Sequence, residues 1–198
     1  LTLGFDDLGA GFMPWTFEAG CMAIDRTQAA QTASLSAVAT TLETMQGIYT
    51  IIKEGAIGTA FGSLPELAAT LIMFKLTSQR HLVLRFYGGT SDLATGFGLS
   101  EFTTASVEMK LKVGATAKTN FEDIYLVAGG VGTERRHRIT IDGGGNNTAD
   151  LDYRCGTTNV EPDEREGEGV YKFEAELVAD STLDALATLA ITNDTAAL

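Results

Sequence analysis

Few residues of this 198-residue chain could do chemistry: two histidines, two cysteines, and carboxylates that outnumber the basic side chains 26 to 14. A histidine acting as general base needs a nucleophile or an orienting carboxylate within reach. Neither His81 nor His137 stands in a local signature such as GxSxG or HExxH, so the sequence gives them no catalytic task. His137 runs in phase with Ile139 and Ile141 and is flanked by Arg135, Arg136 and Arg138, which places it on a strand near a sheet edge. Cys21 and Cys155 are far apart, and no CxxC or Cys/His cluster exists to build a zinc site. A disulfide between them would close a long loop and stabilise the fold; the alternative is a pair of buried free thiols.

Three further segments resemble binding loops and lack part of what binding needs. Gly129, Gly130 and Gly132 follow an apolar run, as in a phosphate loop. A phosphate loop needs a helix next, and residues 136–142 have the alternation of a strand. Asp142, Asn146 and Asn147, with Asp150 and Asp152 beyond them, could offer oxygens to calcium. Their order is not that of an EF-hand and the terminal glutamate is missing, so a hairpin tip is the simpler assignment. Asn146–Asn147–Thr148 and Asn193–Asp194–Thr195 match the glycosylation sequon, which matters only in a glycosylating cell. No metal and no cofactor is expected. Trp15, Tyr49, Tyr87, Tyr125, Tyr153 and Tyr171 are scattered on expected strands, as core or interface residues rather than a sugar platform.

The formal net charge of −12 opposes phosphate backbones and anionic membranes, so sequence-specific nucleic-acid binding is not expected. No run reaches the roughly 18 apolar residues of a spanning helix. The chain starts at Leu1 without a basic start and apolar core, so a signal peptide is expected to be absent or already removed. Acidity concentrates at 161–168, with Glu161, Asp163, Glu164, Glu166 and Glu168. The one basic run is Arg135, Arg136 and Arg138, which could hold an anion or meet an acidic patch. These two patches are expected to pair, within the chain or between neighbours, and so to set register in an assembly. Cys21 and Cys155 are the candidate disulfide.

These residues need elements to hold them. Residues 1–24 read as strand, turn and strand, with Pro14 at an edge. Asp25 and Gln28 form a capping pattern before a helix ending at Gly47, and a short strand follows at 48–52. Ser63, Pro65 and Glu66 announce a second helix reaching about residue 75. From Arg80 the period becomes two, through 82–87 and then 107–113, where Val107, Met109, Leu111 and Val113 share a face. Residues 88–98 read as a loop. Residues 123–128 are apolar on both faces and suggest a central strand. Residues 136–142 and 149–155 form a hairpin around a Gly/Asn tip, and 171–179 is another strand. Residues 183–190 suggest a short helix or, alternatively, a strand.

The expected fold is α+β, mainly antiparallel β, a sheet or sandwich flanked by two or three helices. One domain spans 1–198, with a mixed part over 1–78 and a β-rich part over 79–198. The expected function is non-enzymatic: a structural subunit assembling with copies of itself and with other structural proteins of the same particle. That particle is a virion, a phage tail tube or capsid, or a secreted filament, which places the chain in a virion or outside the cell. The alternatives are a secreted binding module, for example for carbohydrate, and an enzyme whose site gathers distant carboxylates.

Overall fold

Strict alternation builds the centre of the protein. In 105–113, Ala105, Val107, Met109, Leu111 and Val113 are buried while Glu108 and Lys112 face solvent. The structure, a computed structural model, describes residues 1–5, 15–18, 50–85, 96–127, 132–142, 148–163, 169–183 and 185–192. The strands are β1 (Thr2–Phe5), β2 (Thr16–Glu18), β3 (Thr50–Ala56), β4 (Ala69–Arg85), β5 (Gly96–Val113), β6 (Glu134–Asp142), β7 (Thr148–Pro162), β8 (Val170–Val178) and β9 (Ala187–Thr192). The helix α1 (Ala115–Glu122) lies between β5 and β6. The strands form one antiparallel sheet in the order β2-β1-β4-β5-β8-β7-β6-β3, curled into a half-barrel. Strand β7 pairs with β8 through its second half and with β9 through its first.

The concave face holds the core. Rings run through it in a continuous series: Phe5, Trp15, Phe74, Tyr153, His137, Phe173, Tyr125, Phe121 and Tyr171, with neighbouring centroids 4.8 to 6.3 Å apart. Such pairs contribute about 0.5–1.5 kcal/mol each beyond the area they bury. Leu71, Ile52, Ile139 and Leu151 fill the space beside them. The convex face carries a smaller layer, in which Leu64 covers Gly55 and Phe61 is buried against Arg136.

The mainly-β expectation holds, and the flanking helices do not. Among the described residues there is one α-helix, and none is long and apolar enough to cross a membrane. The helix expected from Ser63 to residue 75 is a short 3-10 turn (Phe61–Ser63) followed by β4. A register shift between Leu71 and Met73 explains the misreading. A bulge breaks the two-residue period, so Leu71 and Phe74 are buried three apart and mimic a helical stripe. Of 183–190, residues 187–190 take the strand alternative, as part of β9. The central strand expected over 123–128 is a π-helical turn (Asp123–Val127) that continues α1. Phe121 and Tyr125, four apart, are its buried stripe. The expected helix over 25–47 and the tip at 143–147 lie outside the described residues.

The β4–β5 hairpin outgrows the sheet. Its strands are 17 and 18 residues long. Strand β1 accompanies β4 only as far as Thr77, and β8 accompanies β5 only as far as Ser106. Beyond the pair Ser78–Ala105 the ladder continues to Arg85–Gly96, and among the described residues neither strand there has a second neighbour. Those seven positions at about 3.3 Å each make an arm of roughly 20–25 Å.

Gly4 ties the edge to this body. A Cβ there would fall on the Phe74 carbonyl oxygen and 2.9 Å from the Lys75 Cα. Backbone cannot yield cheaply, so Gly4→Ala should cost about 1–3 kcal/mol in urea unfolding. An unchanged midpoint would show that β1 is not held this closely.

Candidate functional site

Register brings the chemistry-bearing residues together. Glu54 of β3 lies opposite His137 of β6, and His137 opposite Tyr153 of β7, so the three form one row on the concave face. Cys155, two residues after Tyr153, shares that face. Tyr125 arrives from the π-helical turn and donates its hydroxyl to Glu54 Oε2 at 2.6 Å. Arg135 Nε donates to Glu54 Oε1 at 2.8 Å. His137 Nε2 lies 3.6 Å from Glu54 Oε2. On the other side of the ring, Nδ1 lies 3.2 Å from the Tyr153 hydroxyl and 3.7 Å from Cys155 Sγ.

Thiol, imidazole and carboxylate thus stand in the order that nucleophilic catalysis uses. Access is what the row lacks. Cys155 and His137 are each 1% exposed, and none of these residues lines a described cleft. The electrostatics are those of a buried ion pair. Burial opposes a charge on Glu54, but His137, Tyr125 and Arg135 outweigh it and lower its pKa to about 2. Burial likewise opposes a charge on His137, but Cys155 and Glu54 beside it raise its pKa to about 10.

A second ionic cluster occupies the convex face. Arg136 holds Asp180 through two hydrogen bonds of 2.7 Å and donates a third, of 2.8 Å, to the Thr59 carbonyl. Its guanidinium also sits 4.9 Å from the centre of the Phe61 ring. Asp180 Oδ1 accepts from the amide and hydroxyl of Thr182 as well. Burial would raise the Asp180 pKa; Arg136 and Thr182 outweigh it and lower it to about 2.

The basic run is therefore occupied within the chain: Arg135 by Glu54, Arg136 by Asp180, and Arg138 by Asp152 through two 2.6 Å bonds. Of the acidic stretch, Asp163 pairs with Lys110 at 3.7 Å and Glu161 with Lys172 at 3.6 Å. Glu164, Glu166 and Glu168 lie outside the described residues. The structure does not bring Arg135, Arg136 and Arg138 to the described acids of that stretch. Cys155 carries a free buried thiol, and Cys21 lies outside the described residues. Asp150 and Asp152, offered to calcium in the sequence, engage Thr140 and Arg138 instead. The side chain of His81 is not among those described.

Sequence reasoning missed Glu54, Tyr125 and Asp180. Only Glu54 left a signal, since it keeps the phase of Ile52 on the same strand. Comparison with protein-family models, curated proteins and solved structures finds no match for the chain.

Two outcomes follow from the charges. Asp180→Ala leaves Arg136 buried without its carboxylate and should cost about 3–5 kcal/mol in urea unfolding. The double change Arg136→Met with Asp180→Leu should cost less; equal losses would mean that the pair carries no such penalty. A raised histidine pKa stabilises the fold fully below the unfolded value of 6.5 and loses that contribution as pH rises through about 10. The thermal midpoint of the protein should therefore fall between pH 6.5 and 10 by more than that of His137→Gln. Parallel curves would contradict a charged His137.

Proposed function

We propose that the chain is a non-enzymatic structural subunit that assembles with copies of itself, in a virion, a phage tail tube or capsid, or a secreted filament. The observation that carries this reading is the β4–β5 arm. A two-stranded ribbon with no flanking strand is marginally stable in water. Its sequence is apolar at consecutive positions, Leu82, Val83 and Leu84, opposite Phe97 and Leu99 in register. In the proposed assembly a neighbouring subunit packs against this ribbon.

Charge favours the same surface. Within 79–104, Arg80 and Arg85 balance Asp92 and Glu101, so the whole net charge of −12 resides in the rest of the chain. Contact through a neutral arm spares the copies their mutual repulsion. The edge strands add to this: Phe17 on β2 is 62% exposed and Ile191 on β9 is 63% exposed. Exposed apolar edges invite pairing with another chain. The carbohydrate-platform alternative finds less support, because Trp15 is wedged between Phe5 and Phe74.

Analytical ultracentrifugation and negative-stain imaging test the proposal. The protein should form rings, tubes or larger particles rather than a 21.0 kDa species. Ser78 and Ala105 are paired, so a two-residue turn can replace 79–104 without disturbing the body. That variant should fold and stay monomeric. A full-length chain that remains a monomer at high concentration would end the proposal.

A further inference from the structure

We propose that Glu54 is an acid-operated latch: uptake of one proton on its carboxylate frees β3, together with 57–67, from β6 while the rest of the sheet stays paired. The inference stands apart from assembly and rests on how β3 is held.

Among the described residues, strand β3 closes one end of the sheet order, and its only extended ladder is the one to β6. Its other edge touches the chain that leaves it. Glu54 N donates to the Pro65 carbonyl, Leu67 N donates to the Ile52 carbonyl, and Lys53 bridges to Glu66. Strand and following segment therefore move as one unit. The groups facing Glu54 come from three other elements: Tyr125 from the π-helical turn, Arg135 and His137 from β6, and Tyr153 and Cys155 from β7 behind the imidazole. Phe74 of β4 and Phe173 of β8 contribute rings alone at this point.

One carboxylate thus serves two cations. Protonated, it leaves Arg135 and the buried His137 imidazolium without a counter-charge, a state that low dielectric penalises strongly. Water entering between β3 and β6 relieves it. The buried face of the β5–β8 interface holds no carboxylate among the described residues, since Val107, Met109, Leu111, Phe173 and Ala175 meet there through apolar contacts. The convex-face cluster acts on the same unit, because Arg136 grips Thr59 and Phe61 only while Asp180 holds it. A carboxylate with a lowered pKa supplies stability above its unfolded value of 4.5 and loses it as pH falls toward about 2, which sets the window for opening.

Hydrogen exchange read by mass spectrometry, stepped from pH 7 to pH 2 and corrected for intrinsic rates, tests the latch. In the wild type, peptides covering 50–67 and 134–142 should lose protection first, while 105–113 and 170–177 stay protected. Loss in all four regions at one pH would overturn it. Tyr125→Phe removes one donor to Glu54 and leaves Asp180 alone, so it should raise the pH of opening by on the order of one unit. A midpoint equal to the wild type would also overturn the proposal. Glu54→Gln should show the open pattern already at pH 7; full protection there would sink it, and if that variant does not fold, the Tyr125→Phe shift decides.

Discussion

A single antiparallel sheet, with one short helix among the described residues to cover it, buries its inner face by curling onto itself. That constraint organises the rest of the protein. The rings from Phe5 to Tyr171 fill the curl, and strands at opposite ends of the sheet order contribute to one core. At the end of the sheet formed by β7, β6 and β3, the residues that the curl buries include polar ones. Glu54, His137 and Tyr153 sit in one cross-strand row because the register of three strands leaves them no other face. Apolar residues in that row would pack as well, as the cost of burying charge implies. What the charges add is a unique register, since slipping β3 by one residue would turn Glu54 away from both cations.

The described structure divides into a body that satisfies itself and an arm that does not. In the body the positive side chains of β6 find carboxylates on β3, β7 and the turn after β8. The arginines of β6 are thereby occupied. In the arm, backbone pairing continues without flanking strands among the described residues. A partner would gain by covering that ribbon, whereas it would have to break existing pairs to recruit the arginines. This asymmetry moves the expected contact surface from the charged run to the hairpin.

Much of the sheet was legible because alternation is a local property. Val107 to Val113, the β6–β7 hairpin and β8 each bury every second residue, and their positions follow from the sequence alone. The elements that escaped are those where the period is broken or borrowed. The bulge at Leu71 gave β4 a helical spacing, and the apolar run after Phe121 concealed a helical stripe. The site was less legible than the fold. His137 and the arginines were visible, but their partners lie tens of residues away, and no local pattern links Arg136 to Asp180 or Glu54 to Arg135. Like charges in a run drew attention to one another's opposite numbers at 161–168, while the actual partners were single acids placed by topology.

That topology also bears on how the chain is made. Glu54 and Arg135 are 81 positions apart, yet β3 has its main ladder with β6. At ordinary synthesis rates of about 5–20 residues per second, β3 leaves the ribosome roughly 4–16 s before β6 exists. During that interval β4 and β5 can pair with each other, but Ile52 and Glu54 can join only the 65–67 segment, not β6. The nascent chain therefore carries β3 without its main ladder for seconds, and this early strand is among the last to gain it.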